Sequence, residues 1–265
     1  MIGRAARVRL ERTTARQLLS SLPDGAIDVL IVDPPYATVD RRSGNGHLRD
    51  WFAGSMSWRA IGAILALARH KLAPDGVAFL MTNTDGLAEA MAALEGAGFA
   101  RPRLITWDRV YPGLGGGLRH QTEYILVGRL AGSRPLTGVD LVSVPAVGPG
   151  TADRYPTEKP IGLGRELARI AGVRRGDLVV DPFVGSGALL LGSLERGAAV
   201  AGADISPRAI ARATERLTGR PKVKPPSAAA PPRRRQPLVP QRRRTSSLSP
   251  ARPAKAPRPQ TRRRR

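Results

Sequence analysis

Cysteine is absent from all 265 residues, which excludes disulfides and thiolate metal sites. Histidine is scarce: His47, His70 and His120 stand at no metal-ligand spacing, so no metal is expected. No apolar run approaches the roughly 18 to 20 residues needed to cross a bilayer, and the N-terminal stretch lacks the apolar core of a secretory signal. Arg4, Arg7, Arg9 and Arg12 give a basic start of the kind found in organelle transit peptides, but Glu11 and the pattern after it suit a folded strand and helix better. A cytoplasmic location is therefore expected, with no membrane partner.

The last 45 residues lack acidic and aromatic residues altogether. Residues 221–265 hold 11 Pro and 15 basic residues, among them Arg233, Arg234, Arg235, Arg242, Arg243 and Arg244. So of the net charge of +22, fifteen charges sit in this tail and seven on the 220 residues before it. Such a segment has too little apolar surface to offset its ordering entropy, which predicts disorder from residue 220 onward. A basic body with a far more basic tail points to a polyanion, and the missing apolar face favours nucleic acid over membrane.

Residues 1–219 have the size and composition for one α/β domain. Short apolar runs alternate with helical periodicity, the pattern of a mostly parallel sheet covered on both faces. Strands are expected at Ala26–Val32, Val77–Thr82, Leu104–Trp107, Thr122–Val127, Asp177–Val180 and Ala199–Ala203, and one more before Glu11 makes seven. Helices are expected at Arg12–Leu22, Met56–Lys71, Asp85–Gly96, Ile161–Ala171, Gly187–Arg196 and Pro207–Leu217. The last of these opens with Ser206 as N-cap and Pro207 at the first helical position.

Two segments carry chemistry. The first runs from Asp177 through Asp181, Pro182, Phe183, Val184, Gly185, Ser186 and Gly187: a buried strand, an acidic tip and a glycine turn into a helix. About 20 residues later a second strand ends in Asp204, where a nucleotide-binding half-sheet places a carboxylate for ribose hydroxyls. The two glycines alone are ordinary turn chemistry; joined to Asp204 they indicate a bound nucleoside. The three-glycine pyrophosphate fingerprint is missing, and Asp181 stands where a diphosphate would be repelled, so the ligand carries a ribose but no phosphate.

The second segment is Asp33, Pro34, Pro35 and Tyr36, directly after the strand Ala26–Val32. The prolines hold Asp33 rigidly at the strand tip. The Asp33 carboxylate and the Pro34 carbonyl are adjacent acceptors suited to an NH₂ group, and Tyr36 offers a flat face for a base ring. A strand-ending Pro-Pro turn with a buried Tyr is the bland alternative.

These segments resemble the catalytic motif (Asp-Pro-Pro-Tyr) and the cofactor motif (Asp-Pro-Phe-x-Gly-Ser-Gly) of the amino-methyltransferases of DNA. Their order, catalytic first, is similar to the circularly permuted β group of that family. Tyr155, Pro156, Thr157, Glu158, Lys159 and Pro160 are similar to the family's His-Pro-Thr-Gln-Lys-Pro segment, and 119–127 resemble its late strand. The resemblance spans nearly all of 7–217 and implies a Rossmann-like methyltransferase fold, with a catalytic half at 1–130 and a cofactor half at 155–219.

It further implies S-adenosylmethionine held by Asp181, Phe183, Gly185, Ser186, Gly187, Asp204, Thr157 and Lys159, and catalysis by Asp33, Pro34, Pro35 and Tyr36 on a base flipped out of DNA. It implies a bacterial or phage-encoded enzyme, monomer or dimer. The sequence departs from the family at Tyr155 (for His), at Glu158 (for Gln) and at Glu11, Arg12, Thr13 and Thr14, where members have Gly-Asp. Only a short segment, 131–154, stands where most members insert a recognition domain.

The basic, glycine-rich stretch with Arg41, Arg42 and Arg49 is either a DNA-closing loop or a solvated one. The glycines before Arg119 precede a strand and not a helix, so a flexible substrate-edge loop is favoured there over a phosphate cradle. Adenine N6 is the preferred target because the family tends to carry Ser in place of Asp33 for cytosine. Cytosine N4, RNA, or a catalytically idle DNA-binding protein on the same fold stand as alternatives.

Overall fold

In the computed structural model the described residues are 7–35, 54–113, 117–148, 155 and 157–219. The chain divides into two units, Met1–Pro225 and Pro226–Arg265, and every described residue lies in the first. The expected tail disorder, and with it Tyr36, Arg41, Arg42, Arg49, Arg233–Arg235 and Arg242–Arg244, falls outside the described residues.

Fourteen elements follow one another: β1 (Val8–Glu11), α1 (Ala15–Ser20), β2 (Ile27–Val32), α2 (Trp58–Lys71), β3 (Leu72–Thr82), α3 (Leu87–Gly96), β4 (Ala100–Asp108), β5 (Thr122–Arg129), β6 (Leu141–Ser143), α4 (Ile161–Ile170), β7 (Leu178–Asp181), α5 (Ala188–Glu195), β8 (Ala199–Ala203) and α6 (Pro207–Thr218). The strands form one sheet in the order β1-β8-β7-β2-β3-β5-β4-β6. Only β5 runs against the rest, antiparallel to both β3 and β4. The expected mostly parallel α/β fold is therefore present, but with eight strands and not seven.

The extra strand, β6, is three residues with one buried side chain, Val142, too short for periodicity to reveal. It exists because Thr106 to Asp108 of β4 offer an open parallel edge. Two other strands start earlier than expected, at Leu72 and at Ala100. Each carries a register irregularity near its start, against β2 and β5 respectively, which breaks the alternation that marks a strand in sequence. Helix α1 starts three residues later than expected because Thr14 caps it, in a capping box with Gln17.

Side-chain alternation along the strands splits the core in two. Val29, Ile31, Val77 and Phe79 pack on one face with Leu163 and Leu167 of α4 and Leu190 of α5. Leu30, Val32, Ala78 and Leu80 pack on the other with α1, α2 and α3 through Leu18, Ile61 and Leu94. Helices α4 and α5 touch backbone to backbone: a Cβ on Gly164 would lie 2.6 Å from the Leu189 carbonyl oxygen. That contact matters for function, since α4 begins one residue after the Lys159–Pro160 pair and α5 one residue after Gly187.

The segment after β5 is tied down from below. Arg134 reaches Asp28 (2.9 Å), Asp75 (3.1 Å) and Asp177 (2.8 Å). The chain then passes the end of α4, where the Thr137 N–H donates to the Ile170 carbonyl, and reaches the far edge of the sheet, where β6 joins β4. Of the short segment expected to serve recognition, 141–143 thus join the sheet, and 149–154 are outside the described residues.

Among the described residues no helix is long and apolar enough to cross a membrane, and no cluster of His, Asp or Glu has the makings of a metal site.

Candidate active site

At the centre of the sheet β7 and β2 are neighbours, yet the chain leaves β7 towards β8 on one side and β2 towards β3 on the other. This is a topological switch point, where a crevice opens at the carboxyl ends of the strands. A cavity of about 710 Å³ lies there, lined by Asp33, Pro34 and Pro35 after β2 and by Asp181, Phe183, Gly185, Ser186 and Asp204 after β7 and β8. Two segments some 150 residues apart in sequence thus share one space, as the motif reading requires.

Asp181 ends β7, is 1% exposed, and accepts the Phe183 N–H at 2.9 Å. The turn after it needs its glycines: Gly185 and Gly187 have φ of 48° and 75°, and a Cβ on Gly185 would lie 2.9 Å from the Tyr155 ring. Asp204 closes the turn from the next strand. Its Oδ2 accepts the Gly185 N–H (3.2 Å) and its Oδ1 the Ser206 N–H (2.8 Å). A carboxylate has about four lone-pair sites, so acceptor capacity is left on Asp204 for a ligand hydroxyl.

Two residues that depart from the family pattern have local explanations. Tyr155 packs on Gly185, whose missing side chain makes room for it. Glu158 pairs with Arg216 of α6, which also donates to the Ser186 hydroxyl (2.6 Å) and carbonyl (3.0 Å). Arg216 therefore ties the 155–160 segment to the glycine turn. Sequence reasoning passed over it, although it follows the buried Ala209 and Ala213 by seven and three positions and so lies on the inward face of α6.

Lys159, expected to hold the cofactor, lines the cavity together with the residues of the glycine turn. Its ammonium lies 3.1 Å from Asp33 Oδ2 and 3.5 Å from Glu123 Oε2 of β5. Glu123 in turn meets Arg109, at 3.3 Å, and that guanidinium stands over the Trp107 ring. Thr157 lines the same cavity with a φ of 55°, a strained conformation for a β-branched residue that persists only where its surroundings hold it. Arg119 is exposed on the β4–β5 connection.

The cavity is hard on its carboxylates. Burial pushes Asp33 above the usual carboxylate range; Lys159 opposes this and Glu123 adds to it. Asp181 is pushed well above that range by burial, against the Phe183 N–H and with help from Asp33 and Asp204. Asp204 is raised by burial and held back by the backbone N–H groups of Ser206 and Gly185. Tyr155 stays a neutral phenol, because burial and all three carboxylates oppose its ionisation. Along the cavity Asp33, Asp85, Glu123, Asp181 and Asp204 outnumber Arg16, Arg109 and Lys159, which favours a cationic ligand over an anionic one.

No protein-family model matches the chain. By sequence it is similar to the Type II methyltransferase M2.DpnII of Streptococcus pneumoniae, 25% identical over 201 residues that cover 64% of this chain and 75% of the relative. Among solved structures it resembles M1.HpyAVI in its complex with S-adenosylmethionine, with a TM-score of 0.62, 17% identity, and 79% and 98% of the two chains covered. It also resembles the cytosine-N4-specific PvuII DNA methyltransferase, with a TM-score of 0.64, 15% identity, and 79% and 86% covered.

Proposed function

We propose that this chain, a relative of the DNA methyltransferases with their Rossmann-like fold, transfers a methyl group from S-adenosylmethionine to the exocyclic amine of a DNA base, adenine N6 before cytosine N4. The observation that carries the reading is the single cavity shared by Asp33 and the turn from Asp181 to Ser186, closed by Asp204. The cofactor fits the residues present. Asp204, with acceptor capacity to spare, would hold its ribose, and the acidic surroundings suit its sulfonium charge. When bound, S-adenosylmethionine supplies an electrophilic methyl group.

The chain's own part is positional and electrostatic. An aromatic amine is a weak nucleophile because its lone pair is delocalised into the ring. Asp33 and the Pro34 carbonyl, accepting its N–H bonds, favour the pyramidal nitrogen of the transition state. Lys159 favours the Asp33 anion against the burial that opposes it, and Glu123 pairs with the same ammonium. After transfer the ammonium proton passes to Asp33. Tyr36 stacks on the base in this reading, and the basic residues of 221–265 add phosphate contacts that read no sequence.

Adenine is preferred because the residue at 33 is Asp; cytosine N4 is retained because the PvuII enzyme, of like fold, is named for it. The test is incubation of the full chain with labelled S-adenosylmethionine and genomic DNA, digestion to nucleosides, and mass identification. N6-methyladenine, lost in Asp33→Ala, is expected. N4-methylcytosine would overturn the choice of base, and absence of any labelled nucleoside would overturn the activity.

A further inference from the structure

Strand β5 opens with an acid among apolar neighbours. Glu123, its second residue, stands opposite Trp107 of β4 in register, on the face that buries Ile125 and Val127. Trp107 is buried and its indole N–H donates to the Val144 carbonyl (2.8 Å), so the sheet itself fixes the place of Glu123. Its two oxygens meet different cations: Oε1 lies 3.3 Å from Arg109, and Oε2 lies 3.5 Å from Lys159, whose ammonium is 3.1 Å from Asp33. Oε2 is buried and accepts no hydrogen bond among the described residues. An acceptor left so is costly, and packing alone does not favour a carboxylate there.

Asp33 faces two demands that conflict. To accept N–H bonds and then a proton it must be ionised, and in a buried cavity that requires a cation nearby. A cation that pairs with it completely meets the first demand and spoils the second, because a carboxylate whose charge is neutralised is a weaker acceptor and a weaker base. One ammonium divided between two carboxylates meets both. Asp33, Lys159 and Glu123 together leave one negative charge in excess, and that excess is available to the amine.

We infer that Glu123 is a positioning residue of the methyl transfer: by sharing the Lys159 ammonium with Asp33 it keeps the Asp33 carboxylate strong enough as an acceptor to draw the amine's N–H bonds and take its proton. The inference rests on the proposed methyl transfer and adds what sets the strength of its acceptor. It also fixes a sign. Glu123 adds to burial in raising Asp33, and Lys159 opposes both. Glu123→Gln keeps the shape of the side chain, removes that negative charge and leaves the ammonium to Asp33. Asp33 then ionises at lower pH and is a weaker base, whereas Lys159→Met moves it the other way.

The experiment measures methyl transfer across pH by full-length wild type, Glu123→Gln, Glu123→Asp and Lys159→Met, on one duplex that the wild type methylates and at saturating S-adenosylmethionine. The other ionisable groups along the cavity, Arg16, Asp85, Arg109, His120, Tyr155, Asp181 and Asp204, are the same in all four proteins. In Glu123→Gln the acid limb of kcat/KM should move to lower pH, opposite to Lys159→Met, and the rate on the plateau should fall roughly tenfold, a part of what an oriented acid or base contributes. Glu123→Asp should recover most of that rate. A limb that stays or moves to higher pH in Glu123→Gln would overturn the inference, and so would a plateau equal to wild type. A lower rate with a raised cofactor KM and an unmoved limb would show a merely structural role, and overturns it as well. The Asp33 carboxyl carbon, titrated by NMR in wild type and in Glu123→Gln, reads the same sharing without turnover: a midpoint that does not fall in the variant refutes the sharing. A wild type that methylates no DNA, with the midpoint lowered as expected, would instead overturn the activity, and with it the role of Glu123 in it.

Discussion

Replacing Lys159 by Met keeps the aliphatic stem and removes the one ammonium held between Asp33 and Glu123. All three side chains are at least four-fifths buried, so water cannot take over the missing charge. Loss of a charge-assisted hydrogen bond at a carboxylate is worth about 1.5 to 3 kcal/mol, a factor of about 10 to 150 in kcat/KM if the carboxylate must be ionised. The loss depends on pH in a definite sense. Burial and Glu123 already raise Asp33, and Lys159 is what opposes them, so its removal raises Asp33 further. Tyr155, Asp181 and Asp204, which face the same cavity, and the Arg109 and His120 that line it, remain in the variant.

The acid limb of the kcat/KM profile should therefore move to higher pH, with the deficit largest at low pH and shrinking as pH rises. Stability follows the same linkage. A carboxyl raised in the folded state favours folding at low pH and loses that contribution as pH rises through its folded value. The variant should thus be less stable than wild type at neutral pH, with the gap closing towards acid. Lys159→Arg should restore most of the rate. Radiometric methyl transfer at saturating cofactor, run across pH, measures the limb. A uniform loss at every pH, accompanied by a raised KM for S-adenosylmethionine, would refute this and return Lys159 to the cofactor role that the family resemblance implies.

Three further outcomes are expected. Asp204→Ala should weaken S-adenosylmethionine binding by about 1.5 to 3 kcal/mol in calorimetry, since it removes both the proposed ribose acceptor and the hold on the Gly185 N–H; an unchanged affinity refutes it. Asp181→Asn keeps an acceptor for the Phe183 N–H but removes a buried carboxyl whose ionisation is opposed by burial, so the ligand-free Tm should rise at pH 8 and the difference should vanish towards acid; a lowered Tm at pH 8 counts against the argument. Arg134→Leu strands Asp28, Asp75 and Asp177 together beneath the sheet and should cost about 3 to 5 kcal/mol in urea unfolding. A loss below about 1 kcal/mol would show that the clamp is spectator chemistry.

What could be read from sequence were the features whose causes are local. Strand β8 was bounded correctly and α6 within one residue, because Ser206, Pro207 and Gly219 punctuate the helix and β8 is a short apolar run between turns. The segments carrying Asp33 and Asp181 declared themselves through proline and glycine, whose backbone limits are visible in the letters alone. What escaped depends on partners far along the chain. Arg134 meets residues more than 40 positions away, and nothing near it in sequence signals a buried clamp. Strand β6 is made by the edge it joins more than by its own three residues.

The two substitutions within the 155–160 segment show how far a motif can be read by letters alone. Glu for Gln at 158 looks like a defect until Arg216 is seen to pair with it while holding Ser186 of the glycine turn. Tyr for His at 155 looks like a lost contact until its ring is found against the Cβ-less face of Gly185. One altered residue packs on the glycine turn directly and the other reaches it through Arg216, so each departure comes with its own partner. The same logic accounts for Lys159. The lysine, two residues before the helix that packs backbone to backbone on α5, pairs with Asp33 at the tip of β2 while lining the same cavity as the glycine turn. A motif constrains which residues line the cavity; the ion pairs of Lys159 and Arg216 show which of them meet each other.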